Sequence, residues 1–451
     1  MIQLEHIRPC LEGLVPASIA TCDSEGMPNV TYVSHVHYVD SNHVALSFQF
    51  FNKTRQNILS NPQATVCVIH PETAAQYRLS LLYQKTEQSG PLFETMKARL
   101  AGIASHSGME NVFRLLGADI YQVLDIEDIS VRTLPSPVDR HPLIALRKTL
   151  QEMDETVDLD TLLDTVLDSL AKHFHIKYSL LMLTDEVGEK LFTVASRGYD
   201  ESGVGSELPI GVGVIGTAAK YQTIIRIAYA AAEYHYAQAM KNFYAQKLAD
   251  LPIETTIHYP GLSNPGSQIA LPLCQCNRLL GVLYAESEKS ECFTYQDEDA
   301  LACVAIVLSN MLAAETDGKN KPQAIEEAIQ DQSSPTDKIT GTPIEVRYYS
   351  TDGSVFLDKE YLIKGVAGKI LWRILQLYTE EERQEFSNRE LRLDKSLNLP
   401  EVSDNLEARL ILLHKRLQER CDCIAIEKCG RGRFRLKVAR PLQLSIDLDA
   451  E

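Results

Sequence analysis

Cationic side chains are concentrated near the end of this chain. Between Arg409 and Arg440 there are ten basic and three acidic residues, a local net charge of +7, whereas the whole chain has a formal charge of -17. The phosphates of a nucleic acid duplex attract such a local excess of Lys and Arg. The candidate contact residues are Arg409, Lys415, Arg416, Arg420, Lys428, Arg431, Arg433 and Arg435. This distribution predicts a surface that binds double-stranded DNA within an otherwise acidic protein.

Two predicted elements position these cations. The first is a helix from Asp404 to Arg420, in which leucines recur at steps of three and four residues and so form one apolar face. These leucines are Leu406, Leu410, Leu413 and Leu417. The second is a hairpin, because Gly430 and Gly432 permit a tight turn. A helix can enter the major groove while a hairpin reaches the adjacent backbone, so the two elements together favour duplex binding.

The order of elements in this last quarter of the chain resembles the OmpR-type winged-helix effector domain of two-component response regulators. The stretches that resemble it are FLDKEYLIKGVAGKILWRIL, NLEARLILLHKRLQER and CIAIEKCGRGRFRL. The resemblance implies that Arg409, Lys415, Arg416 and Arg420 face DNA and that Arg431 and Arg433 touch its backbone. No receiver domain precedes the module, so it does not imply phosphoryl control. Protein binding by the same module, and simple solvation of these charges, stay open as alternatives.

A second group of polar residues opens a short predicted helix near the N-terminus. Lys53, Thr54, Arg55 and Asn57 supply cations, a hydroxyl and an amide, which are the groups that a phosphate needs at a helix start. The strand-like stretches ASIATCD, NVTYVSHVHYVD and HVALSFQF precede them, and their partial alternation predicts a small antiparallel barrel. The alternative is that Lys53 and Arg55 are solvated turn residues.

This N-terminal part resembles the split-barrel flavin-binding fold of the pyridoxamine phosphate oxidase-like superfamily. The stretches that resemble it are VPASIATCDSEGMPNVTYVSHVHYVD, SFQFFNKTRQNILSNPQATVCVIH and, as a later strand, LAGIASHSG. The resemblance implies a homodimer that binds FMN, with Lys53 and Thr54 on the phosphate and Ser47 and Gln49 near the ring. Members of the superfamily also bind haem, deazaflavin or nothing, so the cofactor is otherwise unknown.

Two histidines raise a further possibility in this part of the chain. His35 and His37 alternate along a predicted strand and therefore point to one face. Such a pair suits a ligand pocket or haem ligation, although structural histidines are more frequent.

The middle of the chain resembles a GAF domain, the small-molecule sensing fold of many signalling proteins, in LPIGVGVIGTAAKYQTIIRI and in the region from Ser267 to Ala313. The glycines of GVGVIG permit a tight entry into a helix. They are not preceded by a strand-helix-strand frame, which disfavours dinucleotide binding. The aromatic-rich segment from Ile227 to Pro260, with His235 and His258, predicts either a pocket wall or a covered core.

Cysteine usage and hydropathy indicate a reducing, aqueous compartment. Ten cysteines without a CxxC pair predict reduced thiols. A structural or incidental role, rather than metal binding, is expected for Cys274 and Cys276 and for Cys421, Cys423 and Cys429, since no histidine pair completes a usual metal site. The absence of a long apolar run and of a signal-peptide pattern at the start predicts a cytoplasmic protein without membrane contact.

We therefore expect a multidomain α+β protein. Its parts are an antiparallel split β-barrel at 1–137, a GAF-type α/β sandwich at 138–315, a linker at 316–343 and a winged helix-turn-helix domain at 344–451. The expected function is that of a cytoplasmic one-component transcriptional regulator, a homodimer that senses a small-molecule ligand or redox signal and binds double-stranded DNA. The alternatives are a flavin-dependent oxidoreductase with regulatory domains, and an interaction scaffold. The sequence favours a regulator over an enzyme, and no catalytic residue can be named from it.

Overall fold

The computed structural model describes thirteen stretches of the chain. They are residues 2–11, 15, 17–33, 36–48, 53–106, 115–134, 142–185, 188–227, 259–290, 292–317, 342–397, 406–430 and 432–447. Within them the chain forms three successive α+β units, each built around its own antiparallel or mixed sheets. The multidomain α+β prediction is confirmed.

The N-terminal unit is a seven-stranded antiparallel sheet with the order β2-β1-β5-β6-β7-β4-β3. Its strands are β1 (Ala17–Cys22), β2 (Pro28–Val33), β3 (Val36–Asp40), β4 (His43–Phe48), β5 (Gln63–Ile69), β6 (Gln76–Glu87) and β7 (Gly117–Asp128). A 3-10 helix (Leu4–Leu11) packs on the sheet. Alternate side chains such as Ile19, Val66 and Leu79 point into one core, as the period of two in the sequence predicts.

Two helices accompany this sheet, α1 (Lys53–Ser60) and α2 (Pro91–His106). The predicted short helix at Lys53 is therefore confirmed. The prediction that LAGIASHSG forms a strand is wrong, because α2 continues through this stretch as far as His106. Phe93, Met96 and Leu100 recur at steps of three and four residues and pack in one small core, which is the period of a helix.

The central unit is a six-stranded antiparallel sheet with the order β10-β9-β8-β13-β12-β11. Its strands are β8 (Tyr178–Thr184), β9 (Lys190–Arg197), β10 (Glu207–Pro209), β11 (Ile225–Ile227), β12 (Ser267–Gln275) and β13 (Arg278–Ser287). Its helices are α3 (Pro142–Asp154), α4 (Leu159–His173), α5 (Gly213–Tyr221) and α6 (Tyr295–Asp317).

The sheet of the central unit is covered on both faces. In β8, Leu181 and Leu183 pack with α4 and α6, whereas Leu180 and Met182 pack with α5. A strand buried on both sides is apolar at nearly every position, which explains the run YSLLMLT. The glycines of GVGVIG form the predicted tight entry into α5, with Gly211 and Gly213 at φ values of +94° and +64°.

The C-terminal unit contains two sheets and three helices. The first sheet has the order β16-β15-β14-β20 and the second β17-β19-β18. The strands are β14 (Ile344–Tyr349), β15 (Ser354–Leu357), β16 (Glu360–Ile363), β17 (Glu385–Ser387), β18 (Ile424–Gly430), β19 (Arg433–Val438) and β20 (Leu442–Asp447). The helices are α7 (Gly365–Glu381), α8 (Asn388–Leu393) and α9 (Leu406–Arg420), with a 3-10 turn at Lys395–Leu397.

The turns and the helix cap of this unit follow from its local sequence. The turn predicted at Asp352-Gly353 joins β14 to β15, and Gly353 has a φ of +73°. A capping box starts α8, in which Ser387 and Glu390 satisfy each other's backbone N–H groups. The hairpin predicted at Gly430 and Gly432 joins β18 to β19.

Two of the predicted boundaries cannot be compared with the structure. The linker predicted at 316–343 falls mostly outside the described residues, as do positions 135–141 of the first boundary. Among the helices of the described stretches, none has the length and apolar character needed to cross a membrane.

Candidate functional site

Helix α9 forms the centre of the C-terminal cationic region. Its predicted apolar face is confirmed, since the four leucines that define it are all buried: Leu406, Leu410, Leu413 and Leu417. They pack against α7 and α8 within the same hydrophobic core. His414 contacts the carbonyl of Ile426 at 2.8 Å through its Nδ1 and so ties α9 to the hairpin strand β18.

Arg416 is not on the surface. Only 4% of this residue is exposed, and its Nε donates to the carbonyl oxygen of Leu362 at 3.1 Å. The carboxylate of Glu419 lies 3.4 Å from its Nη1. Burial lowers the pKa of Arg416, because the charged form loses water. The prediction that Arg416 is available to solvent or phosphate is wrong, since the guanidinium fixes α9 to β16 instead.

The other predicted cations fall into two groups. Arg420 and Arg433 are exposed, and Arg435 pairs with Glu385 on the neighbouring strand, where its Nε lies 3.1 Å from the carboxylate. Arg409, Lys415 and Lys428 contact the central unit, and of these three Lys428 also stays half exposed. Arg431 lies outside the described residues. The structure therefore places these side chains on one helix and one hairpin but leaves only part of them facing solvent.

The predicted phosphate ligands of the N-terminal unit are held by partners within the chain. Lys53 donates to Asp23 at 3.1 Å, and Asn29 donates to the Thr54 hydroxyl at 2.9 Å. The Asn57 side chain is fully buried and donates to Thr21 at 3.1 Å.

Arg55 takes part in a buried ion pair. Its Nη1 donates to the Asp119 carboxylate, and its Nη2 donates to the Thr86 hydroxyl at 3.0 Å. Thr86 also donates to Asp119, at 2.6 Å. The sequence analysis missed Asp119 as a partner. Its only signal is a lone acidic residue at the start of the apolar strand β7.

A flavin phosphate does not fit these residues as they are arranged. The two cations, Lys53 and Arg55, are each neutralised by a carboxylate, so the site offers no net positive charge to a dianionic phosphate. A bound phosphate would also lie close to Asp119, which is like-charged. Ser47 is exposed on β4, next to Ala118 in the register with β7, and Gln49 lies outside the described residues.

A buried carboxyl lies in the sheet of the central unit. Glu286 is 2% exposed, accepts from the backbone N–H of Leu262 at 2.7 Å and from the Tyr284 hydroxyl at 2.9 Å. Gln268 donates to that hydroxyl at 2.6 Å. Burial raises the pKa of Glu286. Burial also raises the pKa of the Tyr199 hydroxyl, and the nearby carboxylate of Glu286 raises it further.

This polar network is the best candidate for a small-molecule contact in the central unit. Buried carboxyls and phenols of this kind orient ligands that carry amine or hydroxyl groups. Most of the aromatic-rich segment that the sequence nominated as a pocket wall, with His235 and His258, lies outside the described residues.

An arginine cluster joins the N-terminal unit to the central unit. Glu298 on α6 accepts from Arg226 at 2.7 Å and from Arg99 of α2 at 3.2 Å. Two guanidinium groups contact the ring of Tyr295, those of Arg8 and Arg226, at 4.3 and 4.4 Å from its centroid. These contacts fix α2 against α5 and β11.

Among the described residues, the other histidines and cysteines that the sequence analysis singled out do not form a metal site. His37 is buried on β3, and His35 lies outside the described residues. All ten cysteines are free, and Cys276 lies in the turn between β12 and β13 with a φ of +48°. Cys421 and Cys423 approach each other at 3.0 Å between their sulfur atoms. In the part of the chain that the structure describes, no group of His, Cys, Asp and Glu could hold a metal ion.

Comparisons with known proteins bear on two of the three units. Residues 4–121 match the family model of pyridoxamine 5'-phosphate oxidase, and residues 158–312 match that of the GAF domain. No curated protein matches the chain.

Several solved structures resemble parts of the chain. The GAF domain of a phosphoenolpyruvate-protein phosphotransferase from Acinetobacter is 21% identical, with 40% of this chain and 99% of that chain covered and a TM-score of 0.31. Free methionine-R-sulfoxide reductase from Neisseria meningitidis, in complex with its substrate, is 19% identical, with 41% and 98% covered and a TM-score of 0.31. An FMN-binding protein from Syntrophomonas wolfei is 17% identical, with 28% and 86% covered and a TM-score of 0.24.

The two family models assign the folds of the first two units. The N-terminal unit is pyridoxamine 5'-phosphate oxidase-like, and the central unit is a GAF domain.

Proposed function

We propose that this chain is a cytoplasmic one-component transcriptional regulator, whose C-terminal unit is a winged-helix domain that binds double-stranded DNA. The order of elements supports the proposal: α7, β17, α8, α9 and the β18–β19 hairpin follow one another as helix, strand, helix, helix and wing. In such a domain the third helix enters the major groove. The observation that carries the proposal is the juxtaposition of α9 with a cationic hairpin in an acidic chain.

The backbone of the hairpin suits this role. Gly430 and Gly432 have φ values of +149° and +67°, and nothing lies within 4 Å of a Cβ built at Gly430. The turn can therefore approach a phosphate backbone closely. Arg433, next to the turn, and Arg420, at the end of α9, are exposed cations of this region.

We expect DNA binding to weaken steeply with salt and to depend on these two arginines. Arg420→Ala and Arg433→Ala should each lower affinity for a mixed-sequence duplex about threefold to tenfold and reduce the salt slope by about one. Fluorescence anisotropy of a labelled duplex over a range of salt concentrations measures both effects. Lys148→Ala, which removes an exposed cation of the GAF domain, is the matched control. Equal losses in all three variants, or a salt-independent affinity, would contradict the proposal.

The two other domains would supply the signal. The buried network around Glu286 supports a small polar ligand in the GAF domain, because its carboxyl and phenol groups are held in a fixed geometry by Gln268 and Leu262. Such a ligand changes DNA binding only if it has different affinities for two arrangements of the chain. We further propose a homodimer, which would present two α9 helices to half-sites about 34 Å apart. Val30 and Tyr32 on the edge strand β2 are exposed apolar residues that a second copy could cover.

A flavin-dependent oxidoreductase is the second candidate, and the pyridoxamine 5'-phosphate oxidase-like fold is what favours it. The neutralised cations argue against FMN as the resident cofactor. We expect the wild-type protein to bind inorganic phosphate and FMN weakly. Asp119→Asn should bind both about tenfold more tightly, because the substitution removes the carboxylate that neutralises Arg55 and repels a phosphate.

Calorimetric titration with inorganic phosphate and with FMN tests this expectation. Asp125→Asn removes an exposed carboxylate from the same strand and should change neither affinity. The oxidoreductase would instead be supported if the wild-type protein is purified with a flavin absorbance spectrum and Asp119→Asn does not change that spectrum.

A further inference from the structure

Helix α4 of the GAF domain presents a line of carboxylates to the C-terminal unit. Asp158, at its N-cap, lies 3.2 Å from Nζ of Lys428. Asp164 lies 2.5 Å from Nζ of Lys415, and Asp160 lies between them, 3.8 Å from Lys415 and 3.7 Å from Lys428. One acidic helix therefore bridges α9 and the β18–β19 hairpin through two lysines.

The same face of α9 is packed against the GAF domain along its length. Ala408 and Leu412 are buried, although they lie opposite the leucine face that packs into the core of the C-terminal unit. The guanidinium of Arg409 lies 4.0 Å from the ring centroid of Phe192 in β9. At the far end of the helix, Ser202 donates to the carboxylate of Glu419 at 2.5 Å. Helix α9 is thus covered on two sides.

This contact excludes DNA on steric and electrostatic grounds. A winged helix presents to the duplex the helix face that its own core leaves exposed, and here that face is occupied by α4 and β9. The carboxylates of α4 neutralise two of the cations nominated for phosphate contact, Lys415 and Lys428.

We infer that α4 is an internal competitor of DNA, so that the structure represents a closed, autoinhibited form and DNA binds only when the GAF domain separates from α9. This inference rests on the proposed DNA-binding function and names the way in which it is regulated. It assigns α4 a role as the element through which the GAF domain controls the C-terminal unit. By linkage, DNA must in turn weaken the contact between α4 and α9.

The test removes three negative charges from α4 and leaves the size of each side chain nearly unchanged. We compare the wild-type chain with the triple variant Asp158→Asn, Asp160→Asn and Asp164→Asn; Asn at 158 keeps the helix cap. Asp168→Asn is the matched control, since Asp168 lies on the same helix but pairs with Arg197 of the GAF domain itself. The probe is a fluorescein-labelled, mixed-sequence DNA duplex at fixed salt. Hydrogen exchange of residues 406–420 reports separation without DNA.

We expect the triple variant to bind the duplex about tenfold more tightly than the wild-type chain and to exchange α9 amides faster, while Asp168→Asn matches the wild type. The single tryptophan, Trp372, lies in the C-terminal unit, stacked at 5.0 Å on Tyr348, and its fluorescence shows whether that unit stays folded in each variant.

The failures of the two proposals are distinguishable. If wild type and triple variant bind the duplex equally well, the autoinhibition is wrong and DNA binding stands. The amides of α9 could exchange faster in the folded triple variant while neither protein binds DNA. In that case the proposed function is wrong, and the proposed inhibition is wrong with it. Unchanged exchange with unchanged DNA affinity overturns the assignment of α4 as the competitor.

Discussion

Glu298→Ala is expected to lower the free energy of unfolding of the joined N-terminal and GAF domains by about 3 kcal/mol. The side chains of Glu298 and Arg226 are 9% and 7% exposed, and Arg99 shares the same carboxylate. Removing the carboxylate takes away the counter-charge that Arg226 and Arg99 share in a poorly solvated interface. The loss is therefore dominated by the weaker neutralisation of these guanidinium groups rather than by the bonds themselves.

Differential scanning calorimetry measures this effect as a fall of about 5 °C in the transition that includes the GAF domain. Asp299→Ala is the matched control: it lies next to Glu298 in α6, so it contributes equally to the helix dipole, but its side chain is 69% exposed and 3.7 Å from Arg8. We expect that control to shift the transition by about 1 °C at most. Equal shifts in both variants would show that the cluster does not join the domains.

Local sequence patterns predict much of this fold. The leucine steps of α9, the Asp-Gly turn after β14 and the glycine turn of the last hairpin each depend on residues that are close together in the chain. Such features need no information about distant segments, and the structure contains all of them. The strand predicted at LAGIASHSG followed the family resemblance, whereas the helical period of Phe93, Met96 and Leu100 indicates the helix that the structure contains.

The pairing of strands that are distant in the chain could not be predicted from the sequence. The strand β20 (Leu442–Asp447) follows the last hairpin and pairs in parallel with β14, so Leu442 lies beside Ile344. A six-residue apolar and polar alternation at the end of a chain does not reveal which strand it joins. Without β20, the sheet at the start of the C-terminal unit lacks the strand that links the two ends of that unit.

The ion pairs that each cation forms in the folded chain could not be predicted from the sequence either. Counting cations located the basic segment, but it did not show that Arg416 turns inward to Leu362 or that Lys415 pairs with Asp164 of another domain. Arg55 and Asp119 give the same lesson in the N-terminal unit. A charge counted in a sequence is available to a ligand only if the fold brings no opposite charge to it.

Gly368→Ala is expected to destabilise the C-terminal unit by about 3 kcal/mol or more, although alanine is the better helix former. A Cβ at this position of α7 would lie 1.9 Å from the carbonyl oxygen of Gly353, in the turn between β14 and β15. That oxygen belongs to the backbone and cannot rotate away as a side chain would. The helix must move off the sheet, and the packing of Ile370 and Leu371 moves with it.

Denaturant unfolding followed by the fluorescence of Trp372 isolates this effect, because Trp372 is the only tryptophan of the chain and lies on the same helix. Lys369→Ala is the control, since it introduces the same residue type at the next position without a backbone clash and should change stability by about 0.5 kcal/mol or less. Helix propensity alone predicts that Gly368→Ala stabilises the unit by about 1 kcal/mol. A rise in the denaturation midpoint would therefore show that α7 does not lie in contact with the turn at Gly353.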